Sequence, residues 1–286
     1  HGGRIVTAMK PDRTNRLWIG TQGAGLFTID ASDRSRMAEF SGSSRFSGDK
    51  VNAIAVTPEG RLWIGMDRSG LLKLNPDDGS VEEFRNVPDN PDSLSHDGVT
   101  ALLAERGGDL WIGTKKGLNR LSKGGIFERF IADRRNPFSL SNDYIRALFQ
   151  DKTGLVWIGT LGGGINIYNR RKQRFHTHLL LGKAGETAQD LVVWAICQDY
   201  EGVIWIGTET GGLLRYNPDP HAVVMGIQSD EENSFMSGRA VRSLFEDSQR
   251  TLWIGTRSGL FRYNRTGPET FERVFTSGEY GPRTGN

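Results

Sequence analysis

Apolar and polar positions along this chain recur with a long period, not with one helical or strand rhythm. A five-residue apolar run ending in a glycine and a small or apolar residue appears at Leu17–Thr21, Leu62–Met66, Leu110–Thr114, Val156–Thr160, Ile204–Thr208 and Leu252–Thr256. Each copy reads Leu/Val/Ile-Trp-Ile-Gly-Thr/Met, and successive tryptophans are 45, 48, 46, 48 and 48 residues apart. Six of the seven tryptophans fall in this motif, so the repeat organises the whole chain. A fixed period of roughly 20–50 residues marks a repeat architecture.

A second regularity precedes each tryptophan. Val6, Val51, Val99, Ile145, Val193 and Val241 occupy one aligned position, and Ala8, Ala53, Ala101, Ala147, Ala195 and Ser243 occupy the next but one. This segment is apolar at nearly every place and predicts a first strand buried on both faces. An Asp/Gly turn follows, as in Asp151–Gly154 and Asp199–Gly202, then the motif as a second strand. Glycine turns such as Gly162–Gly164 lead into an alternating third strand, and a fourth segment carries Phe40, Phe84, Phe127, Phe130, Phe175 or Phe271. In the fifth repeat Ala222–Met225 stands in its place.

Four short antiparallel strands per period predict an all-β propeller of six blades, or an excerpt of a longer seven-bladed or tandem propeller. The chain reads as one domain over 1–286. Its repeats span 4–46, 47–92, 95–138, 141–188, 189–236 and 237–278.

If the first two strands form a regular hairpin, the aligned valine faces the motif threonine and the small residue faces the motif isoleucine. The position between them then faces the motif glycine. That position is Thr7, Asn52, Thr100, Arg146, Trp194 and Arg242, the most variable and most polar place in the strand. Opposite a glycine a long side chain has room, because directly paired Cβ atoms lie about 4.5–5.5 Å apart.

Composition narrows the function. Lys+Arg 36 against Asp+Glu 34 leaves a net charge of +2, with no basic block, so nucleic acid is not an expected partner. No run approaches the ~18 apolar residues of a membrane span, so no membrane contact by this segment is expected. The lone cysteine, Cys197, rules out an intrachain disulfide and reads as a buried residue of its strand. His176 and His178 share a strand face without a third ligand, so neither a metal nor a cofactor is expected.

The motif tryptophans read as packing between repeats. Trp194 differs, being the one tryptophan outside the motif and standing at an otherwise polar position. The loops after the second strands bring Asp67, Arg68, Lys115, Glu209 and Arg257 toward the same end, and binding residues often sit on loops of a rigid scaffold. The expected ligand site is therefore Arg146, Trp194, Arg242, Asn52, Arg68, Lys115, Glu209 and Arg257, suited to an anionic or hydroxyl-rich ligand. No pair of acids is singled out for catalysis, and no enzymatic activity is expected.

The pattern from Ile145 to Asn169, with the leaders Asn90–Ser95 and Asn136–Ser141, resembles the two-component regulator propeller repeat. The resemblance covers nearly the whole chain. It implies the periplasmic sensor part of a bacterial membrane receptor, often a hybrid histidine kinase. It also implies an oligosaccharide or other small ligand, and kinase or other signalling domains elsewhere in the same longer chain. Signalling would pass by domain or dimer rearrangement, and a homodimer is an open option. Two other readings stay open: a carbohydrate-active hydrolase or lyase on a propeller scaffold, and a protein-interaction platform.

Overall fold

The computed structural model describes residues 5–30, 36–40, 42–172, 174–178, 192–216, 225–226, 240–264 and 270–276. Two compact units divide the chain, His1–Gln150 and Asp151–Asn286. The first unit contains β1 (Val6–Pro11), β2 (Leu17–Ala24), β3 (Leu26–Ile29), β4 (Met37–Glu39), β5 (Ser47–Val56), β6 (Leu62–Met66) and β7 (Leu71–Leu74). It continues with β8 (Val81–Phe84), β9 (Val99–Ala104), β10 (Leu110–Thr114), β11 (Gly117–Leu121), β12 (Phe127–Phe130) and β13 (Ile145–Gln150). The second contains β14 (Val156–Thr160), β15 (Ile165–Asn169), β16 (Arg174–His178), β17 (Val193–Gln198), β18 (Ile204–Thr208) and β19 (Leu213–Tyr216). Its last strands are β20 (Met225–Gly226), β21 (Val241–Glu246), β22 (Leu252–Thr256), β23 (Gly259–Asn264) and β24 (Thr270–Thr276). Among the described residues there is no α-helix, only a 3-10 turn at Ser43–Phe46. The fold is all-β.

Within the first unit, β12-β11-β10-β9 form a four-stranded antiparallel sheet, and β4-β3-β2 continues through β5-β6-β7-β8. In the second unit β17-β18-β19-β20 and β21-β22-β23-β24 form four-stranded sheets. The first strands β9, β17 and β21 are therefore edges, β5 lies between β2 and β6, and the motif strand is internal. Burial follows from that placement: β6, β10, β14 and β18 are buried at every residue, whereas β9 and β17 are only partly so. The expectation of a first strand buried on both faces is thus corrected, because an edge strand loses the cover of one neighbour. Cys197, on β17, is half-buried, not buried as its apolar surroundings in sequence predict.

Cores form between consecutive repeats. Trp18 packs among Val51, Leu62, Ile64 and Leu74 of the next repeat, and Trp205 among Val241, Leu252, Ile254 and Phe261. Aromatic contacts extend the same pattern, Trp157 meeting Tyr216 and Trp205 meeting Tyr263 of the next repeat, each at 5.3 Å, while Trp18 meets Phe40 of its own repeat at 5.2 Å. Burying indoles of this size supplies much of the stabilisation of each junction.

Five of the six motif indoles are also anchored. Trp157 Nε1 donates to Asp151 Oδ2 at 2.8 Å, while Asp151 Oδ1 accepts from the backbone N–H groups of Thr153 and Leu155 at 2.8 and 3.0 Å. The same bond joins Trp18 to Asp12, Trp205 to Asp199 and Trp253 to Asp247, and Glu105 serves Trp111. Thr57 stands at the corresponding place before Trp63. The turn acid is thus a structural pin that fixes the hairpin and the buried tryptophan together.

The hairpin register differs from the expectation. Val51 does face Met66, and Val99 and Val193 face Thr114 and Thr208, but Ala53, Ala101 and Ala195 face the motif glycines Gly65, Gly113 and Gly207. A register shift separates the two pairs in each case, and it recurs between Val6 and Ala8 and between Val241 and Ser243. The variable residue is the extra one of a β-bulge. It is not paired with the glycine, and its side chain leaves the ladder.

What the glycine does accommodate is the next repeat. A Cβ on Gly65 would lie 2.5 Å from Val99 Cγ1, one on Gly113 would lie 2.6 Å from Ile145 Cγ2, and one on Gly207 would lie 2.7 Å from Val241 Cγ1. Gly20 stands in the same relation to Val51. Val51, Val99, Ile145, Val193 and Val241 are correspondingly fully buried.

Candidate functional site

The bulge and the loop after the motif are held side by side by the backbone. Beyond the bulge, the N–H of the residue after each motif bonds back to the neighbouring strand: Asp67 to Lys50 O, Lys115 to Gly98 O and Glu209 to Val192 O, each at 2.9 Å. That residue and the bulged residue of its own repeat therefore project together.

In the first unit the bulged side chains mostly join repeats. Thr7 Oγ1 donates to Val51 O at 2.5 Å, Asn52 Nδ2 to Val99 O at 2.8 Å and Thr100 Oγ1 to Ile145 O at 2.6 Å. Asn52 Nδ2 also donates to Asp67 Oδ1 at 3.1 Å, and Lys115 Nζ meets that same oxygen at 2.9 Å. Burial works against ionisation of Asp67, but hydrogen bonds from Lys115 and Asn52 outweigh it and hold the carboxyl below its usual range.

Arg68 lies elsewhere, its Nη2 on Gly48 O at 2.6 Å and its Nε 3.5 Å from Asp49 Oδ1. Arg146 is half-buried, with its guanidinium 4.4 Å from the centre of the Tyr144 ring. His96 accepts from Gly98 N–H at 2.7 Å through Nδ1; burial first, then Lys116 and Lys115, lower its pKa and favour the neutral imidazole.

In the second unit four of the expected residues meet. Trp194 Nε1 donates to Glu209 Oε2 at 2.5 Å, and the Arg242 guanidinium lies 3.7 Å from the centre of the Trp194 ring. Arg242 Nη2 is 2.9 Å from Glu209 Oε2 and 3.1 Å from Oε1, and Arg257 Nη2 is 2.9 Å from Oε1. The side chains of Glu209 and Arg242 are 26% and 29% exposed and that of Arg257 is 69% exposed, so the cluster opens to solvent on the Arg257 side. A carboxylate, an indole and two guanidinium forks can bind hydroxyls, anions or the apolar face of a ring.

The residue that the sequence reading left out of the site is Asp67, which ties Asn52 and Lys115 together. Its signal was present: the residues after consecutive motifs carry opposite charges at Asp67 and Lys115, and again at Glu209 and Arg257. Among the described residues no group of three or more His, Cys, Asp or Glu side chains could hold a metal ion. Among the described residues no helix is long and apolar enough to cross a membrane.

Antiparallel four-stranded sheets with a tryptophan-pinned hairpin in successive repeats define an all-β propeller protein. Residues 45–68, 139–162, 188–210 and 235–258 match the model of the two component regulator propeller, so four of the repeats are similar to this family's. No curated protein sequence matches the chain.

Solved structures agree on the fold. The extracellular domain assigned to a hybrid two component system of B. thetaiotaomicron is 18% identical with a TM-score of 0.51, over 94% of this chain and 46% of that one. A catalytically inactive virginiamycin B lyase from Staphylococcus aureus with quinupristin is 13% identical with a TM-score of 0.68, over 95% and 85% of the two chains. PorZ, a surface component of the type-IX secretion system of Porphyromonas gingivalis, is 21% identical with a TM-score of 0.63, over 91% and 39%. The chain spans 45% of the length of the B. thetaiotaomicron extracellular domains that head these matches.

Proposed function

We propose that this chain is the ligand-sensing segment of a bacterial membrane receptor and works outside the cytoplasm. It binds a carbohydrate fragment without transforming it. The single observation that carries this reading is the half-exposed cluster of Trp194, Glu209, Arg242 and Arg257, which gathers an aromatic ring and polar forks at one opening. The repeat family and the extracellular two component domain of like fold supply the receptor context. Signal would pass to kinase or other output domains of the same longer chain by rearrangement of domains or of a dimer.

A thermal-shift screen against oligosaccharides tests it, with Trp194→Phe and Arg257→Ala beside the parent chain. Binding should raise the unfolding midpoint of the parent and less so that of the variants. If no glycan shifts the parent, the carbohydrate reading fails. Equal shifts in all three proteins would place the site elsewhere.

A propeller enzyme is the second reading, favoured by the likeness to the lyase. At 13% identity that likeness speaks to the scaffold, and one scaffold hosts many chemistries. Turnover of any glycan bound in the screen would replace sensing by catalysis.

A further inference from the structure

We propose that the Glu209 cluster receives an acidic saccharide, whose carboxylate binds beside Glu209 on the exposed donors of Arg257. The proposal rests on the ligand-sensing reading above and specifies its chemistry. Glu209 presents one carboxylate to three side chains: Trp194 Nε1, Arg242 Nη2 and Arg257 Nη2. Two guanidinium groups thus converge on one carboxylate, and the second of them, Arg257, lies at the exposed side of the cluster.

The cluster of the first unit is the internal comparison. Asp67 fills the position equivalent to Glu209 and Lys115 that of Arg257, yet one cation meets one carboxylate there and Asn52 is tied to Val99 O. That set is balanced and joins neighbouring repeats. The second unit instead has an indole at the bulge, and the following repeat adds both a bulge arginine and a loop arginine. Among the described residues Arg257 bonds only to Glu209, through one Nη2 atom. The other N–H of Nη2, paired with Nε or with Nη1, leaves one edge of this 69% exposed guanidinium for a second carboxylate. A guanidinium fork takes a carboxylate through two parallel bonds, a geometry that hydroxyls do not match.

Titration calorimetry provides the test, using α-linked galacturonate and β-linked glucuronate tetramers, each beside its carboxyl-reduced neutral counterpart. One acidic tetramer should bind about tenfold or more tightly than its neutral form, the ratio expected from one charge-assisted bond pair. Arg257→Gln should abolish that preference while leaving the unfolding midpoint within about 1 °C, since surface ion pairs contribute little. Glu209→Gln should tighten acid binding, because the arginines lose their internal anion.

Equal affinity for acidic and neutral forms, or an acid preference that survives Arg257→Gln, overturns the proposal. Binding of neutral glycans alone overturns it too and leaves the sensor reading standing. If neither acidic nor neutral glycans bind, the sensor reading falls with it.

Discussion

The guanidinium of Arg242 stacks 3.7 Å from the centre of the Trp194 ring while its Nη2 reaches Glu209 at 2.9 Å, so one side chain spans both other members of the cluster. These partners come from successive repeats, and their contact also holds those repeats together. Arg242→Met keeps the aliphatic stem and removes the charge. It should lower stability by about 1 kcal/mol, the sum of a partly exposed cation–π contact and an ion pair. A double-mutant cycle with Trp194→Phe in urea denaturation measures the coupling, and additive effects would show the stack to be energetically idle.

Asp151 should matter more. It is buried at 4% exposure and accepts from Trp157 Nε1, two backbone N–H groups and the Thr153 hydroxyl. Asp151→Ala leaves those donors without their acceptor and should cost about 3 kcal/mol in chemical denaturation, as unsatisfied buried donors do. A loss below about 1 kcal/mol would mean that water replaces the carboxylate without penalty.

The reverse change should stabilise. Thr57 occupies the turn position where the other repeats carry Asp or Glu, and it precedes Trp63 by the same six residues. Thr57→Asp should gain about 1 kcal/mol by giving the turn and the indole the acceptor found in its neighbours. A fall in the urea midpoint would show that this turn is built differently.

The glycine fit predicts a steric effect with a designed rescue. Gly65→Ala puts a methyl 2.5 Å from Val99 Cγ1 and should destabilise by about 2 kcal/mol. Adding Val99→Ala should recover part of that loss. No recovery in the double variant would place the strain in the backbone of β6 instead of at the junction.

Acid sensitivity follows from the turn and loop carboxylates. Asp247 is held below its ordinary value of 3.8 by the bond from Trp253 first and by backbone donors. Asp12 is lowered by bonds from Thr14 and Trp18 despite an opposing and larger single effect of burial, and Asp67 behaves alike through Lys115 and Asn52. Depressed carboxyl values contribute stability that is complete above the unfolded value near 3.8 and is lost as pH falls through the lower folded values. The unfolding midpoint should therefore stay level from neutral pH to about pH 4.5 and drop below that. Asp247→Asn should flatten the acid limb, and an unchanged limb would remove Asp247 as a contributor.

The fold was legible because a buried indole is hard to replace, so Trp18, Trp63, Trp111, Trp157, Trp205 and Trp253 mark every hairpin in the sequence. The register was not, because a bulge adds a residue without any fixed composition: Thr7, Asn52, Trp194 and Arg242 have no side-chain chemistry in common. Their variability was the visible trace of a side chain that has left the ladder, although it read as space opposite glycine. The association of Trp194, Glu209, Arg242 and Arg257 could be anticipated from their shared loop end. The first unit departed from expectation because Thr7, Asn52 and Thr100 find carbonyl acceptors on the following strand, and Arg68 pairs with Asp49.

The glycine–valine fit has a consequence for how such a chain grows. At Gly20, Gly65, Gly113 and Gly207 the same two surfaces mate, a methyl-free strand and an aligned valine or isoleucine, with different residues at the bulge. A copied gene segment of one period would encode a part that already fits its neighbours on both sides. The bulge residue travels with each copy, and when it drifts only its own bond to the neighbouring repeat changes, while the glycine–valine fit that mates the repeats is kept.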